Sequence, residues 1–191
     1  MSKIAFIFPG QGAQKTGMGK DFYEQSQRAA EIYDAASKRL KEEMEIDIRT
    51  LCFDENDKLD QTAYTQAALV TTCLAMARTL EEKGVRADVT AGLSLGEYCA
   101  IAVAGGMSDL DAVWAVRKRG VLMEEAVPTG VGAMAAVLGL SAEKIEKVTE
   151  EIKGVTVANY NCPGQVVITG EADSVDAAKE KLLECGAKRV L

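Results

Sequence analysis

The chain has 191 residues, 48% of them apolar, and its 22 Lys and Arg against 29 Asp and Glu give a formal charge of −7. That is enough apolar material for a sizeable core, while the acidic balance argues against a nucleic-acid binder. No apolar run reaches bilayer-crossing length, the N-terminal one is too short for a secretory leader, and five scattered cysteines with no C-x-x-C pair and no histidine argue against a zinc site. The cysteines read as reduced core or loop residues of a cytosolic protein, with Cys99 buried.

Residues 4–8 form a continuous apolar run ending at Pro9-Gly10, the pattern of a parallel strand buried on both faces. Gly10-Gln11-Gly12-Ala13-Gln14 follows as a loop. A helix is expected over 21–40, with Phe22, Ala29, Ile32, Tyr33, Ala36 and Leu40 on one face. Residues 54–60 are acidic and read as a solvated loop. A long helix is expected over 65–83, with Leu69, Val70, Cys73, Leu74, Ala77 and Leu80 as its stripe and Gly84 as its terminator. A short apolar strand from Val89 leads into Gly92-Leu93-Ser94-Leu95-Gly96-Glu97-Tyr98, a helix to Val103, a break at Gly105-Gly106, and a helix from Ser108 or Asp109 to about Ala126.

The character changes at Pro128-Thr129-Gly130-Val131-Gly132. A strand over 133–138, a helix over 141–152 capped by Ser141, and strands over 155–160 and 165–169 joined by the turn Asn161-Cys162-Pro163-Gly164 come next. A helix capped by Asp173 or Ser174 runs to Glu184, and a last strand starts at Ala187. This β-α-β-β-α-β order is that of a ferredoxin-like unit. The expectation is an α/β chain: residues 1–127 belong to a parallel-sheet domain, and 128–191 form the small domain. Two strands are too few to cover the helices of the first region, and the sequence stops in a strand. The expectation is therefore an incomplete polypeptide whose core takes further strands after residue 191.

Ser94 lies between two glycines, after a strand and before a helix. That is the arrangement of a nucleophile elbow, in which a sharp turn thrusts the hydroxyl outward at the positive end of the helix. The Leu95 amide would then face a developing oxyanion. The same residues spell S-x-x-E, a helix capping box, so cap and nucleophile both stand on the motif alone. The absence of histidine removes the base that a serine nucleophile usually needs. Two other patterns fail. Gly10-Gln11-Gly12-Ala13-Gln14-Lys15-Thr16 has Gln14 where a phosphate-binding P-loop needs glycine, and Lys15 stands where G-x-G-x-x-G needs its third.

In chain order, Phe8-Pro9-Gly10-Gln11-Gly12-Ala13-Gln14, Tyr64-Thr65-Gln66-Ala67-Ala68, the Ser94 heptapeptide, residues 132–139 and residues 158–168 resemble the blocks of the malonyl-CoA:acyl carrier protein transacylases of fatty-acid synthesis. The resemblance spans the whole chain and implies a hydrolase-like α/β domain split by an inserted ferredoxin-like domain. It also implies a returning segment after residue 191 that bears the histidine base, with a second chain as one way to supply it. Leu93 departs from the family, which often has histidine there, though not as the base.

By resemblance, Ser94 carries malonyl as an ester between coenzyme A and the phosphopantetheine thiol of acyl carrier protein, with no other cofactor. Leu95 and Gln11 would donate to the oxyanion. Arg119 would grip the malonyl carboxylate bidentately, as lysine cannot, and Gln66 would line the pocket. Asn159 and Asn161 would lie near the site, and Lys188 and Arg189 would meet an acidic carrier. Without the resemblance, Gly10-Gln11-Gly12 is a plain turn, Arg117-Lys118-Arg119 a solvated basic face, and Asn161 a turn residue. A serine hydrolase and a non-catalytic carrier-protein binding module are the rival functions. The resemblance implies that the 191 residues alone turn over poorly.

Overall fold

The computed structural model describes residues 3–128 and 130–191. Met1, Ser2 and Thr129, the last within the run where the sequence changes character, lie outside the described residues. The chain divides into a unit of residues Met1–Glu125 and one of Ala126–Leu191.

In the first unit, β1 (Ala5–Phe8) and β2 (Val89–Gly92) pair in parallel, with Phe8 opposite Gly92. The turn after β2 is thus brought beside the loop after β1. The strands are not buried on both faces: Ile7 is 76% and Val89 54% exposed. Helices cover one side of this pair, and alternation along each strand puts every second side chain on the other. The unit's helices are α1 (Lys20–Gln25), α2 (Gln27–Leu40), α3 (Ile48–Phe53), α4 (Thr62–Glu82), α5 (Gly96–Val103) and α6 (Asp109–Ala126); α5 packs directly on both strands, α4 packs on α5, and α1, α2 and α3 pack on α4.

The single helix expected over 21–40 is two helices. Ser26 adopts an extended conformation (φ −127°, ψ 116°) and its Oγ accepts from the Ala29 N–H, so it ends α1 and caps α2. Helix α3 was not foreseen, being too short to show a period. Asp47 caps it through the Arg49 N–H. Helix α4 begins at Thr62 rather than Thr65 and is buried almost all round, Thr65, Gln66, Thr71 and Thr72 included. The foreseen stripe was too narrow on one side and too wide on the other, since Leu80 is exposed and Cys73 half-buried. Gly84 (φ 84°) closes the helix: its N–H reaches Glu81 O, and that of Val85 reaches Leu80 O.

The second unit comprises β3 (Gly132–Leu138), α7 (Ala142–Glu151), β4 (Val155–Cys162), β5 (Gln165–Glu171), α8 (Ala172–Glu184) and β6 (Arg189–Val190), and its four strands form an antiparallel sheet of order β4-β5-β3-β6. Ala135, Val137, Ile145, Val166, Ile168 and Leu182 form its core. Strand β4 runs on to Cys162, so Asn161 is a strand residue and the hairpin turns on Pro163-Gly164, with Gly164 at φ 82° as the third position of a type II turn requires. Register shifts between Val157 and Asn159 and between Tyr160 and Cys162 break the ladder of this edge strand. Neither Asp173 nor Ser174 caps α8, which starts at Ala172; Ser174 Oγ donates instead to Lys153 O. Ser141 occupies the N-cap of α7 without a side-chain capping bond.

Candidate active site

Among the described residues Ser94 is the one non-glycine with positive φ (49°). Such a conformation costs about 1–3 kcal/mol and persists only where the surroundings impose it. They do so through two glycines. A Cβ on Gly92 would collide with the Gly96 carbonyl and the Glu97 nitrogen, and one on Gly96 with the carbonyls of Phe8 and Pro9. Leu93 N–H donates to Phe8 O at 3.1 Å, and the Gly96, Glu97 and Tyr98 N–H groups bond back to Leu93 O, Ser94 O and Leu95 O. Below the bend, Leu95 (1% exposed) and Cys99 anchor α5 in the core. The neighbouring Cys73 first, and burial second, raise the Cys99 thiol well above its ordinary range, and its Sγ donates to Val70 O at 4.0 Å.

The capping-box alternative is not what forms. The Glu97 N–H bonds to the backbone oxygen of Ser94, and Ser94 Oγ accepts instead from Arg119 Nη2 at 3.2 Å. Ser94 itself is exposed, and the Leu95 and Gln11 backbone N–H groups have no acceptor among the described residues. Unsatisfied donors at a helix N-terminus are suited to an anion.

The three adjacent cations of α6 separate as the helical turn requires. Arg117 is buried, donates to Ala63 O and Glu43 O, and stacks on the Tyr64 ring at 4.9 Å. Lys118 pairs with Glu43 at 2.7 Å. Arg119 turns to Ser94, while its Nη1 donates to Gln66 Oε1 at 2.7 Å. Of the three only Lys118 is exposed, and it is paired, so they do not share one solvated face. Gln66 is 0% exposed, and its Nε2 contacts Met123 Sδ at 3.3 Å. Ser94, Arg119 and Gln66 thus form one connected chain, with Leu95 next in sequence.

Gln11 lies in the loop beside them: a Cβ at Gly10 would sit 3.0 Å from Leu93 O. Its side chain turns to Thr62 Oγ1 at 3.0 Å. Asn159, Asn161, Lys188 and Arg189 belong to the second unit and are exposed there. Three contributors escape a reading of the sequence. Met123 and Thr62 carry no local motif. Gly120 permits α6 to close on α4, since a Cβ there would lie 2.6 Å from Thr62 O; the Arg119-Gly120 pair was its one visible sign.

Residues 5–190 match the acyl transferase domain family. The malonyl CoA-acyl carrier protein transacylase of Bacillus subtilis (strain 168) is 50% identical over 196 residues, covering 100% of this chain and 61% of the relative. The transacylase structure from Streptococcus pneumoniae superposes with a TM-score of 0.84 at 49% identity, covering 98% of this chain and 61% of that one. A malonyl-transacylase solved in complex with a type II PKS acyl-carrier protein gives a TM-score of 0.89 at 38% identity over 100% of this chain and 62% of that one. The chain spans about three-fifths of the length of each. With a match running over nearly its whole length, the chain belongs to the acyl transferase domain family.

Proposed function

We propose that this chain carries the nucleophile and acyl-recognition half of a malonyl-CoA:acyl carrier protein transacylase of fatty-acid synthesis, acting in the cytoplasm. The observation that carries the reading is the contact of Arg119 with Ser94 at the strained elbow. A cation fixed beside a nucleophilic hydroxyl suits an acyl group that ends in a carboxylate.

Ser94 Oγ attacks the malonyl thioester, its proton passes to a base, and the oxyanion rests on the Leu95 and Gln11 amides. The carbon–sulfur bond then breaks, coenzyme A leaves as the thiol, and malonyl remains as a seryl ester. The phosphopantetheine thiol of the carrier attacks in turn and restores Ser94. Thiol replaces thiol, so one site serves both halves, and no further cofactor is required. The malonyl carboxylate takes the Arg119 guanidinium, which Gln66 holds from behind. With no histidine in the sequence, the base comes from outside these 191 residues, and the 191 residues alone turn over poorly.

In fold terms, residues 1–127 read as the N-terminal part of a hydrolase-like domain and 128–191 as an inserted ferredoxin-like domain. The strand order of the second unit supports the latter. The related transacylase solved with its carrier protein supports a carrier partner here, with Lys188 and Arg189 offering exposed cations to an acidic surface. The test is to mix the full gene product with labelled malonyl-CoA and carrier protein. Label passing to the carrier through a Ser94 ester, and lost in Ser94→Ala, is the expected result; free malonate as the sole product identifies a hydrolase instead.

A further inference from the structure

Helix α4 meets the site at two points one turn apart. Thr62 and Gln66 are i and i+4, so they share a face of the helix. Gln66 holds Arg119. Thr62, half-buried at the first helical position, accepts from Gln11 Nε2 at 3.0 Å. The loop is fastened a second time just before the helix, where Gln14 Nε2 donates to Asp60 Oδ1 at 2.9 Å while Gln14 Oε1 accepts from the Gly12 N–H at 2.8 Å. On its other side, this first turn of α4 is pressed by Gly120 of α6. One helical turn therefore sets the position of both the Gln11 loop and the helix that bears Arg119.

We propose that Thr62 is a positioning residue: its hydroxyl, through the Gln11 side chain, fixes the Gln11 backbone amide as an oxyanion donor. This rests on the transacylase reading above. The physical need is plain. A donor stabilises the oxyanion only if it is already in place, and loops reorganise more readily than helices. The Gln11 side chain turns away to Thr62, so its contribution is to orient the backbone rather than to touch the acyl group. Arg119, held by Gln66, grips the cargo. Thr62 governs the rate of acyl transfer and leaves cargo choice alone.

The experiment compares Thr62→Val, which keeps the shape and removes the acceptor, with Thr62→Ser, which keeps it, in the full gene product. Thr62→Val is expected to lower kcat for malonyl transfer by about 10- to 100-fold, in line with the cost of a misplaced donor, with KM and the malonyl-to-acetyl ratio unchanged and with Thr62→Ser restoring the rate. Gln11→Ala removes the other half of the contact without touching α4 and should reproduce the loss, so it serves by itself if Thr62→Val fails to fold; where both fold, the double variant should be no worse than either single one. Wild-type kcat in Thr62→Val, or a Thr62→Ser variant as slow as Thr62→Val, overturns the proposal. Amide exchange over residues 10–14 needs no turnover: Thr62→Val should speed it and Thr62→Ser should not, and unchanged exchange in Thr62→Val also overturns the proposal. A wild-type protein that never loads malonyl at Ser94 sinks the transacylase reading instead, while exchange still decides whether Thr62 pins the loop.

Discussion

Arg119 reaches Ser94 Oγ at 3.2 Å with one amino group while the other donates to Gln66 Oε1 at 2.7 Å. The guanidinium is therefore oriented before any acyl group arrives. A carboxylate that exchanges with the Ser94 contact meets a planar fork already facing it, so little side-chain entropy remains to be lost.

Removing that fork should change cargo preference. Arg119→Ala is expected to lower the malonyl-to-acetyl ratio of kcat/KM by roughly 10- to 100-fold, the worth of a hydrogen-bonded charge of about 1.5–3 kcal/mol. Arg119→Lys should recover little, since a single ammonium cannot hold Gln66 and a carboxylate in one plane. Competition between the two acyl-CoA substrates checks this, and an unchanged ratio would refute the role.

Gln66 is the support behind the fork, and its loss should be felt as binding. Gln66→Leu leaves a buried helix position filled but deprives Arg119 of its acceptor. We expect KM for malonyl-CoA to rise more than kcat falls, as when an interaction equal in ground and transition states is removed. A pure kcat effect would assign Gln66 a different part.

The elbow was legible because it is local: the Gly-x-Ser-x-Gly spacing, the preceding strand and the following helix all lie within one short stretch, and the φ of Ser94 answers to them. The fate of Arg117, Lys118 and Arg119 was legible only in part. Helical geometry says that they diverge, yet what each one meets depends on Glu43, Ala63 and Gln66, far away in sequence. Gln11–Thr62 was invisible for the same reason, its partners being 51 positions apart. Helix α3 and the Ser26 break were missed on different grounds. Six residues are too few for a period to show, and a serine inside an amphipathic stretch reads equally as a solvent-facing residue.

The glycines of the elbow should tolerate no methyl group. In Gly96→Ala the new Cβ meets the Phe8 and Pro9 carbonyls, both backbone, so a side-chain rotation cannot relieve the clash. The expected loss is about 1–3 kcal/mol or more, read as a lower urea midpoint. Gly12→Ala is the contrast for open space, since nothing lies within 4 Å of a Cβ there; its cost comes from φ 105° alone.

Cysteine chemistry should follow burial. Cys52 is fully buried and desolvation pushes its thiol up to about 12, so at neutral pH almost no thiolate forms. Cys99 is buried and raised in the same direction. Cys162 and Cys185 are exposed. Brief alkylation of the native protein followed by peptide mass mapping should mark Cys162 and Cys185, and Cys52 and Cys99 only after unfolding. Early labelling of Cys52 would contradict the packing of α3 on α4.

Acid should weaken the clamp on α6. The Glu43 carboxyl accepts from Lys118 Nζ at 2.7 Å and from the Trp114 indole at 2.9 Å. These contacts, that of Lys118 first, hold it below the usual carboxylate range. A carboxyl depressed in the folded state binds its proton less readily there than in the unfolded chain. Its contribution is therefore complete above the unfolded value, about 4.3 for glutamate, and is lost as the pH falls through the folded one. The urea midpoint of Glu43→Gln should lie below that of the parent at neutral pH and converge with it as the pH drops below about 4. The gap should be small and shrink with salt, because the pair is partly exposed. A gap that widened on acidification would mean that the carboxyl is raised rather than lowered, and that Lys118 is not its partner in solution.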